Sequence, residues 1–158
     1  GVLATAGTIA SGAYPRAIAT CSTRIETYGQ PAPLLVPLAE EGWLEGEVPA
    51  LAARRYLEPL ATAGVDVVIL GCTHYPLLFD VIQREARGLM GPNVTILDSA
   101  TVVASDVAGF LRERELLRSA AEGPGRTSLF VTDMPASFDA SAARFLGESP
   151  GSSKLIDL

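Results

Sequence analysis

The chain has 158 residues, 48% of them apolar, and a formal net charge of −6. Those figures describe one ordinary globular domain or two small lobes sharing a core, and they exclude a disordered chain. They also argue against a nucleic-acid surface, which needs clustered Lys and Arg, and apolar runs such as residues 67–70 are far too short to span a bilayer.

Taken in chain order, "VLAT" (2–5) reads as a strand closed by a turn at Gly7. Residues 14–28 carry helical spacing, with Ile18, Cys21 and Ile25 on one face, and Gly29 and the prolines at 31 and 33 end that helix. "LLVPL" (34–38) reads as a short strand, followed by an Ala- and Leu-rich helix over 48–63 that stops at Gly64. "VDVVILG" (65–71) is β-branched and apolar at successive positions, the pattern of a strand buried on both faces. Pro76 suits the first turn of the next helix, "PLLFDVIQREARGL". A strand over 94–98, an amphipathic helix over 101–120, a strand over 127–133, a helix over 136–147 and a short strand over 154–158 follow. "RERELLR" (112–118) is a solvated face, and 122–126 and 148–153 are connections within the fold. Strands alternating with helices in this rhythm imply βαβ units: an α/β fold with a mainly parallel sheet covered on both faces.

The chemistry gathers around Cys72 and His74, the chain's only histidine. Ligands of open α/β sheets bind beyond the carboxyl ends of the strands, and Cys72 lies there, one residue past a strand and just before a helix. The positive end of that helix would favour a thiolate, and His74 is near enough in sequence to exchange a proton with it. Such a thiol acts as nucleophile or general base. Thr73 and the turn amides are placed to hold a carboxylate. The plainer alternatives are a small apolar residue for Cys72 and a structural histidine for His74. A zinc site is disfavoured, because only Cys21 and carboxylates remain to complete it, and Cys21 on its apolar helix face reads as core packing. Cys21 and Cys72 make no disulfide framework and fit a reducing, cytoplasmic setting.

Several segments resemble one family in order along essentially the whole chain. "LGCTHYPLL" (70–78) is similar to the second cysteine motif of glutamate racemase, in the aspartate/glutamate racemase superfamily. "GVLATAGTIASGAY" (1–14) resembles its ATxGT segment, "LVPLAEEGW" (35–43) its VPLxExG stretch, and "ILDSA" (96–100) the strand returning to the first domain. "LFVTDMPASFDASAARFLG" (129–147) followed by "KLIDL" resembles its C-terminal end.

The resemblance implies interconversion of L- and D-glutamate for peptidoglycan, without pyridoxal phosphate, metal or flavin. Two cysteines face opposite sides of the substrate's Cα in that family. Cys72 matches the second, which takes the proton from the D-enantiomer, and Thr73 and His74 would lie on the substrate, with His74 also assisting the thiol. Glu41, or its neighbour Glu40, matches a family glutamate near the site, its alternative being a solvated helix N-terminus. Thr5 and Thr8 would add hydroxyls at the mouth of the site, or else make local turn hydrogen bonds. The resemblance also admits a homodimer, as well as activation by a peptidoglycan precursor.

The family's opening Asp-Ser motif, its Pro-Tyr-Gly segment and its first cysteine in a Cys-Asn-Thr context have no counterpart here. Together with a strand-like run at residue 2, this leads us to expect that an N-terminal part is missing. Residues 1–95 would then form the second α/β lobe and 96–158 the returning part of the first. The chain alone would be inactive and would expose apolar surface. Racemisation of aspartate or another amino acid, and a non-catalytic split or degenerate partner, are the competing readings.

Overall fold

The computed structural model describes all residues except 120, 122, 124, 134, 148–150 and 158, and of residues 135–137 the backbone. It contains two compact units, Gly1–Asp106 and Val107–Leu158.

The first unit is built on four parallel strands: β1 (Val2–Ala4), β2 (Gly29–Pro31), β3 (Val67–Gly71) and β4 (Thr95–Asp98). Their order is β2-β1-β3-β4. Val2 pairs with Gly29 on one side and with Ile69 on the other, and Ala4 pairs with Pro31 and Gly71. Connections therefore leave β1 toward one edge and return across it to the other, making the β1/β3 boundary a topological switch point. Leu3, Val68 and Leu70 point into a core with α3 (Leu35–Glu40), α4 (Glu47–Thr62) and α5 (Phe79–Met90). Ala52, Ala53, Leu57 and Leu60 of α4 share the core with Val81, Ile82 and Ala86 of α5, apolar residues at helical spacing on the two facing helices. Arg54 grips the carboxylate of Glu85 between them, with N–O distances of 2.7 and 2.9 Å.

Several expectations need correction. "LLVPL" is helical: Leu35, Leu38 and Ala39 fall at i, i+3 and i+4 on the core, and Pro37 lies in the first turn, where a missing N–H costs nothing. Gly7 lies inside a helix, α1 (Ala6–Ser11), and not in a turn; of the stretch 14–28 only the first part is helical, in α2 (Ala13–Cys21), which follows α1 across Gly12 with φ of 63°, and residues 29–31 form a strand. Cys21 is consequently exposed and is not core, and Ile25 is 55% exposed. Strand β3 is buried on one face only, with Val67, Ile69 and Gly71 half-buried on the other. The remaining elements are shorter or shifted by a few residues.

The helix α6 (Ser99–Glu113) ends before Glu115, whose φ is 56°. Its Val102, Val103, Val107 and Phe110 are all exposed. In the second unit, β5 (Phe130–Val131) pairs in parallel with β6 (Lys154–Leu155) across α7 (Pro135–Leu146), a small βαβ element. The Ser153 amide donates to Asp139 at 2.9 Å, tying α7 to the strand that follows. Parts of the connections 122–126 and 148–153, and Leu158 of the last strand, lie outside the described residues. No helix among the described residues is long and apolar enough to cross a membrane.

Candidate active site

Because Ala4 and Gly71 are paired in register, the chain leaves β1 at Thr5 and β3 at Cys72 side by side. Both lie at the carboxyl ends of neighbouring strands, at the switch point where doubly wound sheets take their ligands. Gly71 makes this approach close. A Cβ there would stand 3.0 Å from Ala4 Cβ and 3.0 Å from the ring of Tyr14, so the ring of α2 lies against the strand end that carries the thiol.

Beyond Gly71 the chain turns through Cys72, Thr73 and His74 into a 3-10 turn, Tyr75–Leu78, that leads into α5. The Tyr75 amide donates to the Cys72 carbonyl at 3.2 Å. Tyr75 itself is fully buried, and its hydroxyl donates to the Ala32 carbonyl at 2.8 Å. Burial first, and then the nearby Cys72 and Tyr56 when ionised, push the Tyr75 phenol far above its ordinary range. This tyrosine anchors the turn, a role the sequence reading did not assign to it.

His74 is the hub of the polar contacts. Its Nδ1 lies 3.9 Å from Cys72 Sγ and 3.5 Å from Thr73 Oγ1. Its Nε2 lies 3.4 Å from Glu40 Oε1, at the end of α3. A carboxylate on one ring nitrogen and a thiol on the other is an arrangement through which a proton can pass to or from sulfur. The Cys72 side is half-buried and the Glu40 side open to solvent. Glu40 is the glutamate that meets His74, and Glu41 is the exposed C-cap of α3, not a helix N-terminus.

Thr5 and Thr8 hold each other just past the end of β1. Thr5 caps α1, accepting from the Thr8 amide at 3.4 Å, and the two hydroxyls are 3.0 Å apart. On the far side, Asp98 ends β4 opposite Leu70 and accepts from the Thr101 amide at 2.8 Å. That bond holds its carboxyl below the usual range against the opposing effect of burial. Among the described residues no group of three or more His, Cys, Asp or Glu is placed to hold a metal ion.

The Asp/Glu/hydantoin racemase family matches residues 1–107. The glutamate racemase of Geobacter metallireducens is 48% identical over 96% of this chain and 54% of its own length. The solved glutamate racemase of Francisella tularensis in complex with D-glutamate superposes with a TM-score of 0.83 at 28% identity, covering 99% of this chain and 56% of the other. That of Escherichia coli, in complex with L-glutamate and the activator UDP-MurNAc-Ala, gives 0.64 at 26% identity, covering 98% and 55%. The chain thus spans about half the length of the relatives it matches. By the family match over residues 1–107, and by identity across nearly its whole length to glutamate racemases, the chain belongs to the aspartate/glutamate racemase family.

Proposed function

We propose that this chain carries one half of a glutamate racemase site, in which Cys72 is the base for one enantiomer and His74 its proton relay. The observation that carries the reading is the row Cys72–His74–Glu40 at the β1/β3 switch point, in a chain 48% identical to a glutamate racemase. The Cys72 thiolate takes the Cα proton of D-glutamate and becomes a thiol, leaving a carbanion. A second thiol, outside this chain, gives its proton to the opposite face and becomes a thiolate. Protons and charge balance, and one acid and one base on opposite faces are what inversion requires. The carbon acid is weak, so a close, aligned and partly desolvated thiolate is the main demand on the protein. Thr73, Thr5 and Thr8 supply hydroxyls and amides to the substrate's carboxylates, and Glu40 orients His74.

In this reading residues 1–95 are the second lobe of the racemase and 96–158 the returning portion of the first. The exposed apolar face of α6 packs on the part of the fold that lies outside this chain. The product serves peptidoglycan assembly in the cytoplasm, and a nucleotide-linked wall precursor such as that bound to the Escherichia coli enzyme is the candidate activator.

Proton NMR of D- and L-glutamate in D2O, run beside polarimetry, tests the proposal. The complete protein should exchange the Cα proton and lose optical rotation, and Cys72→Ala in it should do neither while keeping its circular dichroism. Full inversion by the Cys72→Ala protein would overturn the mechanism. Inversion by the present chain alone would show that a second thiol within it completes the site.

A further inference from the structure

We infer that Tyr75 is a positioning residue for the reaction: through the Ala32 carbonyl, its hydroxyl holds the Cys72–His74 turn in register with the helix that carries Glu40. The inference rests on the relay proposed above and adds to it a residue outside the proton path.

Ala32 is where the three segments that carry the candidate site meet. It is fully buried and stands directly after β2, between Pro31 and Pro33. A residue before proline is pushed out of the helical region, so the backbone is stiff at this point. The Ala32 amide donates to the Ala4 carbonyl at 2.8 Å, at the end of β1 that leads into Thr5 and Thr8. Its carbonyl accepts twice. The amide of Leu35, the first residue of α3, donates at 3.2 Å, and the Tyr75 hydroxyl at 2.8 Å. Both lone pairs of one carbonyl are thereby used.

From Ala32 the arms to the site are short. The helix α3 has six residues, so fixing Leu35 at its start constrains Glu40 at its end. Tyr75 follows His74 directly, and its own amide donates to the Cys72 carbonyl at 3.2 Å. The contacts so supported have little slack. His74 Nε2 lies 3.4 Å from Glu40 Oε1 and His74 Nδ1 3.9 Å from Cys72 Sγ, both near the outer limit of bonding reach, so a small slip between the segments breaks the row. A phenylalanine at 75 would fill the same buried space. Taking a hydroxyl out of water is costly unless it is bonded, and what it adds over a bare ring is direction.

Steady-state racemisation kinetics on the complete protein test this, with circular dichroism to verify the fold. Tyr75→Phe should lower kcat about tenfold, as expected of Glu40→Gln itself, while KM stays within about twofold. Adding Tyr75→Phe to Glu40→Gln should cost little more, because the contact it maintains is already gone. Glu85→Gln, which weakens the ion pair between α4 and α5 outside the site, is the control for lost stability and should leave kcat unchanged. A role in folding alone would lower the rate by the same factor with Glu40 or Gln at position 40, and that result overturns the inference. So does a loss matched by Glu85→Gln. Normal kcat in Tyr75→Phe beside a slow Glu40→Gln overturns this inference and leaves the relay standing, whereas a silent Glu40→Gln overturns both.

Discussion

The hydroxyl of Tyr75 donates to the carbonyl of Ala32 at 2.8 Å, joining the turn that holds Cys72 to the segment that opens α3. His74 adjoins Tyr75 and Glu40 ends α3, so this buried bond ties together the two segments that carry His74 and Glu40. The row Cys72–His74–Glu40 is thus flanked by a buried hydrogen bond that touches none of its members.

Tyr75→Phe should cost about 1–3 kcal/mol of folding stability, because the buried Ala32 carbonyl loses its donor. The pH dependence carries a second signature. With its phenol raised by burial in the folded state, Tyr75 contributes stability that is whole below about pH 10, where the unfolded tyrosine titrates, and is lost as the pH rises beyond that. Denaturation by urea at a series of alkaline pH values should show a shallower decline for the Phe variant. Equal slopes would mean that Tyr75 is not the group responsible.

Glu85→Gln should lower stability by about 1–2 kcal/mol at neutral pH, toward the low end for a charged bond because Arg54 is half-exposed. Burial raises the Glu85 carboxyl, but bonds and charge from Arg54 and Arg84 outweigh it, and the net value is lowered. A lowered carboxyl stabilises above the unfolded value near pH ~4.3 and ceases to do so as the pH falls through its folded value. The difference between wild type and Gln should therefore close in acid. A gap unchanged at low pH would refute the ion-pair account.

Gly71→Ala should destabilise by about 1–3 kcal/mol through overpacking against Ala4 and the Tyr14 ring. Ala4 is fixed in the adjoining strand, so relief must come from the ring. Tyr14→Leu in the Gly71→Ala background should recover part of the loss, as measured by thermal unfolding, and a neutral Gly71→Ala would mean that the strand ends are more loosely packed than described.

Glu40→Gln in the complete protein should slow racemisation about tenfold, less than the 10²–10⁴ that an acid–base group itself supplies. In the proposed relay Glu40 acts through His74, so adding its substitution to His74→Ala should cost little more than His74→Ala alone. Multiplicative losses in kcat/KM would place Glu40 on a separate path. The parallel series with Glu41, which caps the helix in solvent, should be nearly silent.

The reach of sequence reasoning differs from residue to residue. Cys72 was legible because a β-branched run ends at a glycine directly before it and a proline opens the helix behind it, two signals that act within a few residues. The choice between Glu40 and Glu41 was not, since it depends on the helical phase of "LLVPLAE", whose valine and leucines suit a strand equally well. Cys21 shows the opposite failure: its helix is real, but an apolar face becomes core only where another element covers it, and α2 has no buried residue. The anchoring role of Tyr75 is not legible in the sequence, because its partner, Ala32, is remote in the chain and acts through a backbone carbonyl, an atom every residue has.

The strand order has a consequence for how the site is born. β1 pairs with β2 and β3 at once, and the second partner emerges from synthesis only after α1, α2, α3 and α4. Until Ile69 docks beside Val2, one edge of β1 stands bare and the thiol has no cleft to face. Closing so long a loop is slow, and an open apolar edge invites wrong neighbours while it waits. The early helices α3 and α4 shield only the face they pack on. For this sheet, the last strand pairing to be made beside β1 is also the one that sets Cys72 beside Thr5, so a nascent chain acquires the setting of that cysteine late and nearly all at once.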